Sequence, residues 1–362
     1  MGTKSKRRAE QRVQVGEESA DRGLRRILLV STTAVGDTLL STPAIRAARE
    51  NFPDAQLFLL CHERSFDLVK YNPHLQGIFL YRGKSKGNLR LVRKLKRYSF
   101  DASVILHGND PEAVAICCFS RIPMIAGNAQ SRLALALTHP IPKPSPHTHL
   151  IDHRISAVSA LSPGSLKIKL YDMELYVGDE ERRSISSWLG RKWKNQSGPI
   201  VALHPGGSIP TKHWRKERWA LLADCLARDY GARLVFIGGI KEREMGESIL
   251  AQCSGHPLNA IGEFKLLQTA ALLERAALCI TTDSGPMHIA LAVKTPVIAL
   301  FGPDRPQSSG PHPYTSVKNT VLESNPPCKA TCDRRSCQDN ICMAEISVAQ
   351  VLASVSVFIR KC

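Results

Sequence analysis

The chain has 362 residues, 43% of them hydrophobic, and a formal net charge of +17. That length suits two ordinary domains with a core in each, and the composition excludes a disordered polymer. No run of about 18 apolar residues occurs, which argues against a transmembrane helix, while the excess of cations predicts an anionic partner: nucleic acid, membrane phosphate or a phosphorylated substrate.

Residues 1–23 read as a flexible charged tail without the apolar stretch of a secretory signal, so an intracellular protein is expected. Strand-length apolar runs then alternate with helical stretches. Ile27–Val30, Leu57–Cys61, Ile78–Tyr81 and Ala102–Leu106 are predicted strands. Thr38–Asn51, Phe66–Tyr71, Asn88–Arg97 and Glu112–Phe119 are predicted helices. Arg82, Lys84, Lys86, Arg90, Arg93, Lys94, Lys96 and Arg97 form an acid-free run, read either as a solvated helix face or as a docking surface. Pro140, Pro142, Pro144 and Pro146 interrupt the rhythm, and residues 150–195 look helical and linker-like. His139, His147, His149 and His153 fall around this proline-rich stretch and are expected to face solvent. The alternation restarts with strands at Ile200–Leu203, Leu234–Ile237, Leu258–Ile261, Leu278–Thr281 and Val297–Leu300. The expected class is α/β: two doubly wound domains, 24–178 and 198–345, joined by a linker at 179–197 and followed by a helix at 346–362. Two such domains facing each other place ligands beyond the carboxyl ends of their strands.

Three loops there carry candidate chemistry. In Thr32–Thr38, Gly36 permits a tight turn and close approach to a ligand, and Asp37 is either a helix N-cap or a functional carboxylate. In His204–Ser208, the pair Gly206–Gly207 and Ser208 precede Lys212; exposed backbone N–H groups and one ammonium suit phosphate, although the G-x4-G-K spacing is absent. In Thr281–His288, Ser284 is a candidate cap, Pro286 suits a first helical turn, and the free N–H groups at that helix end suit a diphosphate. Asp283 beside such a site needs another purpose, such as bonding a ligand hydroxyl or amide.

The segments 27–61, 203–244 and 280–311 resemble the ADP-heptose:lipopolysaccharide heptosyltransferase family. The resemblance implies a GT-B fold of two Rossmann-like domains across a cleft, inverting transfer of heptose from ADP-heptose to the lipopolysaccharide inner core, and no catalytic metal or other cofactor. By that resemblance Asp37 is the general base and Lys212 meets the donor phosphates. Gly36, Gly206, Gly207, Ser208, Asp283, Ser284, Gly285, Met287 and His288 belong to the donor site, as does Glu242, or Glu244, at the ribose. Ser31 stands where arginine is common and bears on acceptor choice; Ser284 replaces the usual threonine and keeps its hydroxyl. The implied acceptor is a phosphorylated lipid-linked glycan, which places the enzyme peripherally at the inner face of the cytoplasmic membrane, with Arg90, Arg93, Lys94 and Arg97 as docking cations. The residue types fit this chemistry: a carboxylate takes the acceptor proton, and a cation with a helix N-terminus receives the leaving diphosphate without a DxD motif.

Cys328, Cys332, Cys337 and Cys342 follow a C-x3-C-x4-C-x4-C spacing that suits either a structural zinc or reduced packing thiols. Readings kept beside the leading one are another nucleotide sugar or glycan acceptor, a nucleotide-sugar epimerase on the same fold, and a non-enzymatic basic protein binding nucleotide or nucleic acid. The last rests on charge alone, because no aromatic side chains interleave with the basic run.

Overall fold

The computed structural model describes residues 23–83, 88–108, 110–145, 147–162, 169–194, 196–328, 332–333 and 337–361. Residues 1–22 of the expected tail, Lys84, Lys86 and Pro146 lie outside the described residues.

The first half opens with β1 (Arg26–Ser31), α1 (Val35–Leu40), α2 (Thr42–Asn51), β2 (Gln56–His62), α3 (Phe66–Val69) and β3 (Gly77–Tyr81). It continues through α4 (Asn88–Tyr98), β4 (Ala102–Ile105), α5 (Pro111–Phe119), β5 (Met124–Asn128), β6 (His139–Ile141) and α6 (Leu150–Ser159). Among the described residues its strands form a parallel sheet in the order β3-β2-β1-β4-β5-β6. The central strands are buried on both faces, which is why Ile27–Val30 and Leu57–Cys61 are unbroken apolar runs.

Helix α7 (Asp179–Lys192) leads to β7 (Ile200–His204), α8 (Lys216–Tyr230), β8 (Arg233–Phe236), α9 (Arg243–Leu250), β9 (Leu258–Asn259) and α10 (Leu266–Leu273). Then come β10 (Leu278–Thr282), α11 (Gly285–Ala292), β11 (Val297–Phe301), α12 (Pro306–Ser309), β12 (Asn319–Glu323), α13 (Ile341–Ala344) and α14 (Val348–Val355). The second sheet is also parallel, in the order β12-β11-β10-β7-β8-β9. Helix α7 packs by Ile185 and Leu189 into the core and bonds the second half through Arg182 to Glu274 and Trp188 to Glu263.

Each sheet reverses its winding beside its first strand, between β1 and β4 and between β7 and β10. Crevices form at such reversals, and the three motif loops follow β1, β7 and β10. Strands β5, β6 and β12 add to the predicted set. Met124–Asn128 carries Gly127 and Asn128, β6 is an edge strand built on His-Pro-Ile, and β12 is a half-buried edge. None presents the apolar signature of an inner strand. Two of the four histidines are buried: His149 caps α6, its Nδ1 accepting from Ile151 N–H, and His153 lies within the same helix.

Candidate active site

Both crevices open onto one cleft of about 1270 Å³ between the halves. The first half contributes Gly36 and Asp37 to its wall; the second contributes Gly207, Ser208, Lys212, Glu242, Asp283, Ser284, Gly285 and His288. Met287 and Gly206 do not line it. Met287 points into the core, and Gly206 lies so close to the Glu242 carboxylate that a Cβ there has no room. Ser31, expected to bear on acceptor choice, is fully buried with its Oγ 3.1 Å from Ser41 Oγ.

Asp37 stands in the first turn of α1, whose N-cap is Ala34, so it is not the cap. Arg154 of α6 holds it: Nη2 donates to Asp37 Oδ1 at 2.7 Å, and Nη1 donates to the Asp37 carbonyl and to Ser41 Oγ. Arg154 is 2% exposed. Burial pulls its pKa down while Asp37 opposes that pull, as a buried cation requires. The Asp37 side chain keeps 35% of its surface exposed. Gly36 is helical and the close approach it permits is to a protein ring: a Cβ there would lie 2.7 Å from His288 Cδ2. Burial lowers the His288 pKa to about 4, so its ring is neutral near pH 7.

On the facing side, Ser284 precedes α11 without capping it. Its Oγ lies 3.0 Å from His204 Nδ1 and 3.2 Å from Thr281 Oγ1, so the side chain is committed to the end of β7. The α11 N-terminus is thus left open toward the cleft, with the positive end of its dipole. His204 Nε2 reaches Glu242 at 3.4 Å, and Gly239 N–H donates to Glu242 Oε2 at 2.7 Å. Burial works against the Glu242 charge, yet these bonds hold its carboxyl below the ordinary range. Glu244, the other acid proposed for the ribose, does not line the cleft. Lys212 Nζ sits 2.6 Å from Asp283 Oδ2 and 2.6 Å from Asp304 Oδ2. Burial opposes the ammonium, and the two carboxylates outweigh it, raising its pKa. The Asp283 carboxyl is shifted up, first by burial.

Sequence reasoning missed Arg154, Asp304 and a group beyond β4. There Thr32 Oγ1 donates to Asp110 Oδ2 at 2.9 Å, and His107 Nε2 lies 3.0 Å from the same oxygen. Burial raises the Asp110 pKa, but His107 and Thr32 bring it to about 2. Arg154 had a signal: it interrupts the buried stripe Ile151, Ile155, Val158 at helical spacing. Arg90, Arg93, Lys94 and Arg97, the cations expected to dock, are exposed on α4, opposite buried Leu91 and Leu95. Cys328, Cys332, Cys337 and Cys342 line one cavity of about 120 Å³. Among the described residues no group of three His, Cys, Asp or Glu side chains is placed to hold a metal ion.

Two parallel sheets whose winding reversals share one cleft define the GT-B class of glycosyltransferase architecture. A structure of glycosyl transferase family 9 from Veillonella parvula matches with a TM-score of 0.80 at 23% identity, covering 92% of this chain and 97% of that one. The structure of Escherichia coli ADP-heptose lps heptosyltransferase II matches with a TM-score of 0.75 at 21% identity, covering 92% and 98%. In sequence the chain is 26% identical over 284 residues to lipopolysaccharide heptosyltransferase 3 of E. coli K12, 74% of this chain and 79% of that protein. The family model for glycosyltransferase family 9 (heptosyltransferase) matches residues 88–341, and the chain belongs to that family. It is a glycosyltransferase.

Proposed function

We propose that the enzyme transfers heptose from ADP-heptose to the lipopolysaccharide inner core, by an inverting displacement without a catalytic metal. The names of its relatives support the substrates. The observation that carries the mechanism is that Asp37 and the Asp283–His288 segment share one cleft, with His288 packed on Gly36.

Asp37, oriented by Arg154, takes the proton of the acceptor hydroxyl as that oxygen attacks the anomeric carbon. The bond from that carbon to the diphosphate breaks on the opposite face, and its electron pair leaves with ADP. Lys212 and the open α11 N-terminus stabilise the charge that gathers there. Two carboxylates, Asp283 and Asp304, hold the Lys212 ammonium in the cleft wall. Glu242 meets the donor ribose. The exposed cations of α4 dock the enzyme on the anionic inner face of the cytoplasmic membrane.

Incubation with ADP-heptose and a phosphorylated lipid-linked acceptor in EDTA tests this reading. Transfer with inverted anomeric configuration is expected; activity restored only by magnesium or manganese refutes the metal-free step. Thermal shifts with ADP-, UDP- and GDP-sugars and with oligonucleotides test the donor, and a response confined to ADP-sugars is expected.

A further inference from the structure

Among the described residues, the lysines and arginines that line the cleft are Lys212, Lys241 and Arg305. Lys212 is engaged by Asp283 and Asp304, each with an oxygen 2.6 Å from its ammonium. Lys241 lies in the short turn Ile240–Glu242 after β8, beside the acid proposed to meet the donor ribose. Arg305 stands exposed in the loop between β11 and α12, and among the described residues no carboxylate pairs with its guanidinium. Ser308 and Ser309 share its stretch of the wall. An unpaired guanidinium in a substrate cleft offers a planar fork of N–H donors, which matches the oxygens of a phosphate.

The strand order indicates whose phosphate that is. Strands β11, β10, β7 and β8 run side by side and parallel, so the loops that follow them stand in the same order along the cleft. Glu242 follows β8, the α11 terminus follows β10, and Arg305 follows β11. With ribose at the β8 loop and diphosphate at α11, the β11 loop lies beyond the diphosphate, away from the nucleoside. The transferred sugar is uncharged, so the donor presents no anion there. The same loop adjoins the first half of the molecule. Helix α12 touches α6, which carries the Arg154 that holds Asp37, and His149 bonds the carbonyl of Gly310 at the end of α12.

We propose that Arg305 binds a phosphate group carried by the acceptor glycan, with the Ser308 and Ser309 hydroxyls as further donors. It thereby selects phosphorylated acceptors and sets their reacting hydroxyl toward Asp37. The inference rests on the reading of Asp37 as acceptor base and of the α11 terminus as diphosphate site.

Calorimetric titrations of wild type, R305Q and R305K test it, with melting curves to confirm folding. The probes are ADP, a deacylated phosphorylated inner-core oligosaccharide, and that oligosaccharide after phosphatase treatment, the last two added to ADP-saturated protein. R305Q is expected to bind the phosphorylated oligosaccharide about tenfold more weakly than wild type, with R305K between them and ADP affinity unchanged in both. Phosphatase treatment is expected to weaken wild type by a similar factor and to erase its advantage over R305Q. Equal affinity of R305Q and wild type for the phosphorylated oligosaccharide overturns the inference and leaves Arg305 a solvated cation. Weaker ADP binding by R305Q assigns the guanidinium to the donor instead, which also overturns it. So does an R305Q loss that persists after phosphatase treatment, since the arginine then reads no phosphate. A wild type that binds ADP but neither oligosaccharide removes the lipopolysaccharide acceptor itself, and the inference with it.

Discussion

Arg154 is buried, and Asp37 is the carboxylate set against it. Holding one Asp37 oxygen and the Asp37 carbonyl fixes the side chain at both ends. The substitution Asp37→Asn keeps an oxygen for Arg154 but removes the carboxylate proposed as the base. Transfer is expected to fall by about 10²–10⁴, with ADP affinity unchanged, as measured by initial rates and titration. Arg154→Gln is expected to lower turnover in the wild-type background and to cost little more in the Asp37→Asn background. Additive losses across that double-mutant cycle would show that Arg154 is only part of the packing. The two residues were unequally legible. A Gly-Asp pair directly after a strand flags Asp37, whereas Arg154 is 117 positions away and meets it only through the tertiary fold.

Helix α4 shows what an element can state by itself. Leu91 and Leu95, four residues apart, are buried while Leu89 is 75% exposed, so the helix packs along one narrow stripe. The cations occupy the remaining surface. Asn88 and Tyr81 both donate to Glu112, which ties the start of the helix to α5 at the end of the sheet that bears the Asp37 loop. Each cation close to an anionic bilayer contributes about 1 kcal/mol within a Debye length. Replacing Arg90, Arg93, Lys94 and Arg97 with glutamine is expected to reduce binding to anionic liposomes and raise the apparent KM for lipid acceptor. Donor affinity should not move. Liposome sedimentation equal to wild type at low salt would make the run an ordinary solvated face. Apolar inner strands were legible because both their faces are covered, whereas inner β5 was masked by its Gly127 and Asn128. Strands β6 and β12 were not legible, because an edge strand tolerates proline and polar residues that an inner one rejects.

Across the whole molecule, two buried histidines tie stability to pH. His149 Nε2 donates to the Gly310 carbonyl 3.1 Å away, joining the two halves, and the charges of Asp37, Arg154 and Lys212 act on buried His288. Burial lowers both pKa values from 6.5 to about 4. Between those values the unfolded chain binds more protons than the folded one, so stability is intact above pH 6.5 and is lost as pH falls toward 4. Melting temperatures across that window are expected to decline in the wild type and to decline less steeply in His288→Gln; parallel slopes would acquit this histidine. Charge and composition announced an anionic partner but not the meeting of the halves, since neither His288 nor Gly36 names its counterpart. That meeting has a mechanical consequence. Helices α1 and α11 touch at the floor of the cleft, one bearing Asp37 and the other ending in its open N-terminus. Because this contact and the His149–Gly310 bond both join the halves, the spacing between Asp37 and that terminus is set by direct packing of helix on helix and not by the loops around the cleft.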